Sequence, residues 1–570
     1  MSEWRVYAKK ADFKAIQERF KIDQVIARIM RNRDVETERD IDLYLNGDLS
    51  QLHDSTLLKD GVKAAQMILK KIEENRRIRI IGDYDIDGVC SICILYRAFK
   101  RLGADVDYVV PHRITDGYGI NEHLIDQAIE DGIDTVVTCD NGIAAINQIA
   151  YAKENGLTVI VTDHHDIPFR EEDGEKIHMV PNADAIVNPK QLDDEYPFKL
   201  ICGAAVAYKL SEILYKIKGI SHDELIPSAE LMAIATVGDV VDLRDENRVI
   251  VKRGLKHIAV TKNTGLRALI EECELDIKNL SAYHIGFVIG PCLNASGRLD
   301  TAMRAIELLL CEDPAQAHIM AEHLKELNDE RKDITDKEAK KAIEMVETTE
   351  LSKDHVLVVY LPDCHESVAG IIAGRIRERF YKPTFVLTNA EDGAKGSGRS
   401  IDGYNMFEEI SKCAELLTKF GGHPMAAGLS LPIDQIDAFR RKLNEIENLT
   451  EKDLTPVTWI DVPMPVSYVS RNLIEQLKVL EPFGKGNEKP VFADRGLTVR
   501  SARLIGKNRN VLKMELEGAD GSVVQAIKFK VENEWVPLPG QHVSMVYYPD
   551  INEFRGQTSI QFIVNEMKIS

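Results

Sequence analysis

Between Ile78 and Pro189 short apolar runs alternate with amphipathic stretches, and this alternation restricts the fold more than any other feature of the chain. Ile78-Arg79-Ile80-Ile81-Gly82, residues 104–110, Thr135-Val136-Val137-Thr138 and Thr158-Val159-Ile160-Val161-Thr162 read as strands. Residues 89–102, 122–130 and 144–155 between them read as helices. Such strand–helix–strand repeats build an α/β domain around a parallel sheet. Working residues in these sheets gather at the carboxyl ends of the strands. That rule directs attention to the loops at 82–88, 111–119, 139–143 and 163–168.

Those loops are rich in acid and histidine. Asp83-Tyr84-Asp85-Ile86-Asp87-Gly88 sets three carboxylates at alternate positions, which repel one another unless a cation lies among them. A helix cap accounts for one aspartate, not three. Asp140-Asn141-Gly142 and Asp163-His164-His165-Asp166 follow two later strands, and Gly238-Asp239 closes the apolar helical stretch 231–237. An aspartate before glycine is ordinarily a turn, so each cluster alone is weak. Four of them at ends that a parallel sheet brings together can form one pocket. Carboxylates with one or two imidazoles suit Mn²⁺ or Mg²⁺ and lack the thiolates of structural zinc sites. Two such ions sharing a carboxylate activate water and clamp a phosphate. The expectation is a two-metal phosphoesterase.

The D-Y-D-I-D-G, C-D-N-G, D-H-H and V-G-D segments, in this order and spacing, resemble the four motifs of the DHH phosphoesterase superfamily. Pro111-His112-Arg113-Ile114-Thr115-Asp116-Gly117-Tyr118-Gly119 and Gly290-Pro291-Cys292-Leu293-Asn294-Ala295-Ser296-Gly297-Arg298-Leu299 are similar to segments of its RecJ single-strand exonucleases. Cys292 stands where arginine is common in that segment. Gly396-Ser397-Gly398-Arg399-Ser400 and Gly421-Gly422-His423-Pro424-Met425-Ala426-Ala427-Gly428 look like the two signatures of the DHH-associated domain. The resemblance covers about residues 75–570.

It implies that Asp85 and Asp140 hold one metal, with Asp83 as a further ligand or a supporting partner. Asp87, Asp140, His164 and Asp239 would hold the other. His165 would contact the scissile phosphate or protonate the leaving oxygen, with Asp163 orienting a histidine. Arg113 on a strand-end loop, with Ser397 and Arg399 in a glycine-rich loop, would bind a 5′-terminal phosphate. Arg298 would touch backbone phosphate, His423 would face the DNA, and Tyr118 could stack on a base. A structural salt bridge for Arg298, a turn role for His423 and loop packing for Tyr118 are the plainer readings. The implied activity is 5′→3′ exonucleolytic release of 5′-mononucleotides from single-stranded DNA, in recombination and repair. A single-strand-binding protein and a helicase are the implied partners of a monomer.

The domain plan follows from composition. A helical segment (1–70) precedes the phosphoesterase domain (71–312). Asp313-Pro314 then reads as an N-cap with proline at the first helical position. It opens a charged stretch free of glycine and proline, expected as one connecting helix over 313–350. A second α/β pattern covers 351–450. From 455 to 570 short strands suggest a five-stranded OB-type barrel. Net charge is −20, which opposes bulk coating of nucleic acid but permits a local basic groove. From 455 onward 14 basic residues meet 13 acidic ones, and no acid interrupts Arg495, Arg500, Arg503, Lys507, Arg509 and Lys513. That tract is either a solvated loop face or a path for a phosphate backbone. Cys90 and Cys93 have C-x-x-C spacing but lie in an apolar helix with no second ligand pair, so they read as buried thiols. With no apolar run of membrane length and no secretory pattern at the start, a cytoplasmic protein is expected.

Two other functions stay open. A phosphodiesterase of the same superfamily for short oligonucleotides or cyclic dinucleotides would usually lack the OB-like region. A non-catalytic replication scaffold would require lost ligands, and Asp85, Asp87, Asp140, His164 and Asp239 are all present.

Overall fold

The computed structural model describes residues 2–569 apart from 114, 115, 117, 118, 173, 174, 532–535 and 555, with backbone only at 554. In the first lobe β1 (Ile78–Ile81), β2 (Val106–Val109), β3 (Thr135–Cys139), β4 (Thr158–Thr162) and β5 (Ala185–Val187) form a parallel sheet ordered β2-β1-β3-β4-β5. Every residue of β1 and β3 is buried, which is why these strands read as unbroken apolar runs. The exception in sequence, Arg79, forks onto Asp107 and Asp131 at 2.8 Å. β5 escaped the sequence reading because three residues are too short to show a period.

The connecting helix runs from Pro314 to Thr348, and the Asp313 side chain accepts from the Gln316 amide at 2.9 Å. Beyond it β6 (Leu357–Tyr360), β7 (Thr384–Ala390), β8 (Gly393–Arg399), β9 (Lys419–His423) and β10 (Ala426–Leu431) form a sheet ordered β9-β10-β8-β7-β6. Ser397 and Arg399 therefore lie on a central strand, not in the glycine-rich loop expected for them. The β8 backbone is spent on ladders to β7 and β10. Glycine is used there for close approach: a Cβ on Gly398 would lie 2.7 Å from the Phe385 ring.

The C-terminal unit contains β11 (Val462–Pro463), β12 (Phe492–Ile505), β13 (Val511–Glu517), β14 (Val523–Phe529), β15 (His542–Phe554) and β16 (Gln557–Ile569). β12, β13, β14, β16 and β15 pair in that order, and β15 returns to β12, so five strands close a barrel with β11 at its edge. Three of the six basic residues of the tract lie on β12, where Leu497 and Val499 are buried and Arg495, Arg500 and Arg503 exposed. Arg500 is taken out of the tract by Glu517, 2.9 Å away across the hairpin. Arg503 faces Lys513 on β13, while Lys507 and Arg509 occupy the connecting turn.

The N-terminal segment is not purely helical. Glu3–Val6 pairs in parallel with Val457–Ile460. Ile26, Ile29, Met30 and Tyr44 share one apolar core with Leu480, Phe492 and Tyr547, so the two ends of the chain build one unit. Among the described residues no helix is long and apolar enough to cross a membrane.

Candidate active site

β1 delivers Asp83 and Asp85 into the first turn of the Ile86–Arg101 helix. Asp85 is its N-cap, accepting from the Asp87 and Gly88 amides at 3.0 and 3.1 Å. Gly88 is required by close approach, since a Cβ there would lie 2.6 Å from the Asp83 nitrogen. Asp87, fully buried, accepts from the Gly203 and Ala204 amides at 2.6 and 2.7 Å, at the start of the Gly203–Lys218 helix. Asp140 leaves β3 with φ 60°, a conformation that costs a non-glycine residue energy and is typical of functional sites. Asn141 braces this turn, donating to the Ile81 and Cys139 carbonyls at 3.1 and 2.9 Å.

His164 follows β4. Its Nε2 lies 3.1 Å from Asp140 Oδ1, 3.6 Å from Asp87 Oδ2 and 3.7 Å from Asp239 Oδ2. Asp239 caps the Ala229–Gly238 helix. Asp163 is a hub: Oδ1 accepts from the His164 and His165 amides and lies 2.8 Å from His165 Nδ1, while Oδ2 accepts from the Ile143 amide. Despite burial, the hydrogen bond and charge of His165 hold Asp163 at about 2. Asp163 in turn lifts His165 to about 9 against the burial penalty.

The carboxyls of Asp83, Asp87, Asp140 and Asp239 are pushed upward. Burial and the neighbouring Asp85 raise Asp83, and raise Asp87 to about 7. Burial, Asp87 and Asp85 raise Asp239 to about 8. Burial and then His165 depress His164 to about 3, so it is a neutral imidazole. Buried like charges of this kind need a compensating cation. Donor atoms converge in three sets: Asp83, Asp85 and Asp140; Asp87, His164 and Asp239; and Asp140, His164 and His165, each within 4.8 Å. Asp83 Oδ1 and His164 Nε2 are buried and have no hydrogen-bond partner among the described residues. The oxygen and imidazole donors fit hard divalent cations. The third set also brings His165, expected at the phosphate, within ligand range.

A cationic cluster adjoins this centre. The Arg113 guanidinium lies over the Tyr84 ring, 4.7 Å from its centroid. Arg298, on the Gly290–Leu299 helix, donates to the Ser367 carbonyl at 2.7 Å. It is lowered to about 9 by burial and then by Arg113 and Arg331. Arg399 is lowered by burial, Arg377 and Arg113. It lies with Ser397 against the first turn of the Ala369–Phe380 helix, where a Cβ on Gly370 would be 2.9 Å from its Nη2. Guanidiniums from both lobes thus crowd together, and Arg113, Arg298 and Arg399 make no salt bridge among the described residues. The salt bridge weighed for Arg298 is therefore not there. His423 ends β9, exposed, within electrostatic reach of Asp166 beside the D-H-H segment. Tyr118 lies outside the described residues. Arg495, Arg503, Lys507 and Arg509 lie on the barrel.

Sequence reasoning missed Asn294, whose Oδ1 accepts from the Ile86 amide at 2.9 Å and so ties the Gly290–Leu299 helix to the acidic loop. Its signal was its place inside a recognised segment. The amides of Gly203 and Ala204 had no signal, because any residue supplies one.

Carboxylates and a neutral imidazole at the ends of a parallel sheet, facing a second lobe that supplies cations, define a metal-dependent phosphoesterase of the DHH type. Residues 77–236 match the DHH family N-terminal domain, 353–448 the DHHA1 domain and 460–566 the RecJ OB domain. The single-stranded-DNA-specific exonuclease RecJ of Bacillus subtilis is 36% identical over 100% of this chain and 71% of its own length. That of Escherichia coli is 34% identical over 95% of each. The crystal structure of Thermus thermophilus RecJ with Mn²⁺ superposes with a TM-score of 0.84 at 26% identity, covering 100% of this chain and 80% of that one. A Mg²⁺ complex of the same protein gives 0.79 at 25% identity. The chain belongs to the RecJ family of single-stranded-DNA-specific exonucleases.

Proposed function

We propose that this chain degrades single-stranded DNA from its 5′ end, releasing 5′-mononucleotides with two divalent cations, in recombination and DNA repair. The observation that carries the reading is the carboxylate–imidazole centre set against unpaired guanidiniums from both lobes. Asp83, Asp85 and Asp140 would hold one Mn²⁺ or Mg²⁺; Asp87, His164 and Asp239, with Asp140 shared, would hold the other. Bound there, the cations supply Lewis acidity and an activated water. His165, oriented by Asp163, contacts the scissile phosphate or protonates the leaving oxygen. Arg113 and Arg399 receive a terminal phosphate through forked donors, with Ser397 beside them, and Arg298 touches backbone phosphate. His423 faces the strand from the second lobe. Arg495, Arg503, Lys507 and Arg509 extend a phosphate path along the barrel, and Tyr118 stacks on a base. The barrel favours a polymer over a dinucleotide.

Family membership supports single-stranded DNA as the substrate. We further infer a cytoplasmic monomer working with a helicase and a single-strand-binding protein.

The test is digestion of 5′-phosphorylated, end-labelled single-stranded DNA with Mn²⁺, beside the duplex and an Asp140→Ala variant. Label should leave as mononucleotide from the single strand only, and not with the variant. Survival of long strands while dinucleotides are cleaved would favour the small-substrate reading. No cleavage of either would favour a scaffold.

A further inference from the structure

Two cysteines outside the site lie in contact. Cys273 ends the Thr264–Glu272 helix and Cys292 sits in the Gly290–Leu299 helix, with their sulfurs 3.7 Å apart. No other two cysteines among the described residues come within hydrogen-bonding reach. Cys292 is fully buried, whereas Cys273 is partly exposed and open to a small oxidant. The connecting helix lies over the pair. Asn328 Nδ2 donates to Cys292 Sγ at 3.3 Å, and Arg331 holds the Asn328 oxygen at 2.9 Å. The two sulfurs also differ in chemistry. Cys273 is favoured as thiolate by the Cys292 hydrogen bond and by Lys325 and Lys332, while Cys292 is kept protonated by that same bond and by burial. A partly exposed thiol whose ionisation nearby lysines favour is the reactive partner, and a buried thiol in contact resolves it.

We propose that Cys273 and Cys292 form a reversible thiol–disulfide pair oxidised by a hydroperoxide. The Cys273 thiolate attacks a peroxide oxygen, the O–O bond breaks, and a sulfenic acid forms as water leaves. The Cys292 sulfur then attacks the sulfenic sulfur, the S–O bond breaks, and a second water leaves as the S–S bond forms. Two thiols and one hydrogen peroxide thus become one disulfide and two waters, and an external dithiol reverses the change while itself becoming a disulfide.

Closing the pair draws sulfurs from 3.7 Å to a bond length of about 2 Å, an adjustment that the end of the Thr264–Glu272 helix shares with the Gly290–Leu299 helix. That helix carries Asn294, bonded to the Ile86 amide between Asp85 and Asp87, and Arg298 of the cationic cluster. Oxidation should therefore slow hydrolysis. This consequence rests on the nuclease reading; the disulfide itself does not.

The test treats the reduced full chain with hydrogen peroxide, blocks free thiols by alkylation and maps the unreduced peptides by mass spectrometry. Titratable thiols should fall by two, with a linked Cys273–Cys292 peptide that dithiothreitol abolishes. In Cys292→Ser, Cys273 should be trapped as sulfenic acid by dimedone; in Cys273→Ser, Cys292 should stay a thiol. Absence of the linked peptide, or preferential oxidation of other cysteines, overturns the proposal. Digestion of single-stranded DNA should slow on oxidation and recover with dithiothreitol, and Cys273→Ser should be insensitive. A disulfide that forms without slowing digestion overturns the link to the site. If the reduced protein digests nothing, the nuclease reading fails, and the peptide map still decides the pair.

Discussion

Asp163 fixes both histidines of the centre by accepting their amides and lying against one ring. Asparagine at this position keeps the size but puts a donor where an acceptor is needed. Asp163→Asn should cost about 10–100-fold in turnover or metal affinity, measured as digestion rate against Mn²⁺ concentration. Glu230 tests the effect of burial away from the site. It is 3% exposed, and burial lifts its carboxyl to about 7 against the Thr261 hydrogen bond and the Arg97 charge. A folded value above the ordinary 4.5 means that the native state binds more protons than the unfolded chain over that interval. Its contribution is therefore intact below 4.5 and is lost as pH rises through about 7. Glu230→Gln should match the parent in stability at pH about 4 and exceed it at pH about 8, read by thermal melts at both values.

Among the elements, β8 shows where local rules mislead. Glycine disfavours strands, so Gly396-Ser397-Gly398-Arg399 reads as a loop. Its partners on both sides decide otherwise, because only a residue without a side chain fits against Phe385 and Met406. Gly398→Val should cost about 1–3 kcal/mol by overpacking, measured by urea denaturation. It should also reduce the preference for a 5′-phosphate over a 5′-hydroxyl end, since Ser397 and Arg399 flank the change. β12 misled in the opposite direction. Its arginines mark a charged surface, but buried Leu497 and Val499 two residues apart carry a strand period.

At the scale of the whole molecule, one buried cation joins the nuclease lobe to the terminal unit. Arg248 donates to the carbonyls of Tyr44, Val479, Leu480 and Glu481 at 2.8–3.1 Å, and its guanidinium lies 3.6 Å from the Tyr44 ring centroid. Arg248→Met fills the volume but leaves those carbonyls unsatisfied. It should destabilise the chain by about 3 kcal/mol or more, with faster amide exchange concentrated around residues 479–482. Trp4, bonded to Glu566 at 2.8 Å, the Glu3–Val6 strand and the apolar residues from Ile22 to Tyr44 form the other half of this unit, whereas Leu58, Ala64, Ala65, Ile68 and Leu69 pack into the first lobe.

The α/β class, the long helix, the barrel and the convergence of the acidic clusters were legible in sequence, because each rests on a local period or on residue types that repel unless neutralised. Tertiary structure alone decided that β8 is a strand, that the first helices complete the barrel core and that Asn294 braces the acidic loop. It also decided that Glu517 neutralises Arg500 and that Cys273 meets Cys292. These are contacts between residues distant in sequence. A one-dimensional pattern specifies what a side chain can do, whereas its partner is set by which surfaces pack.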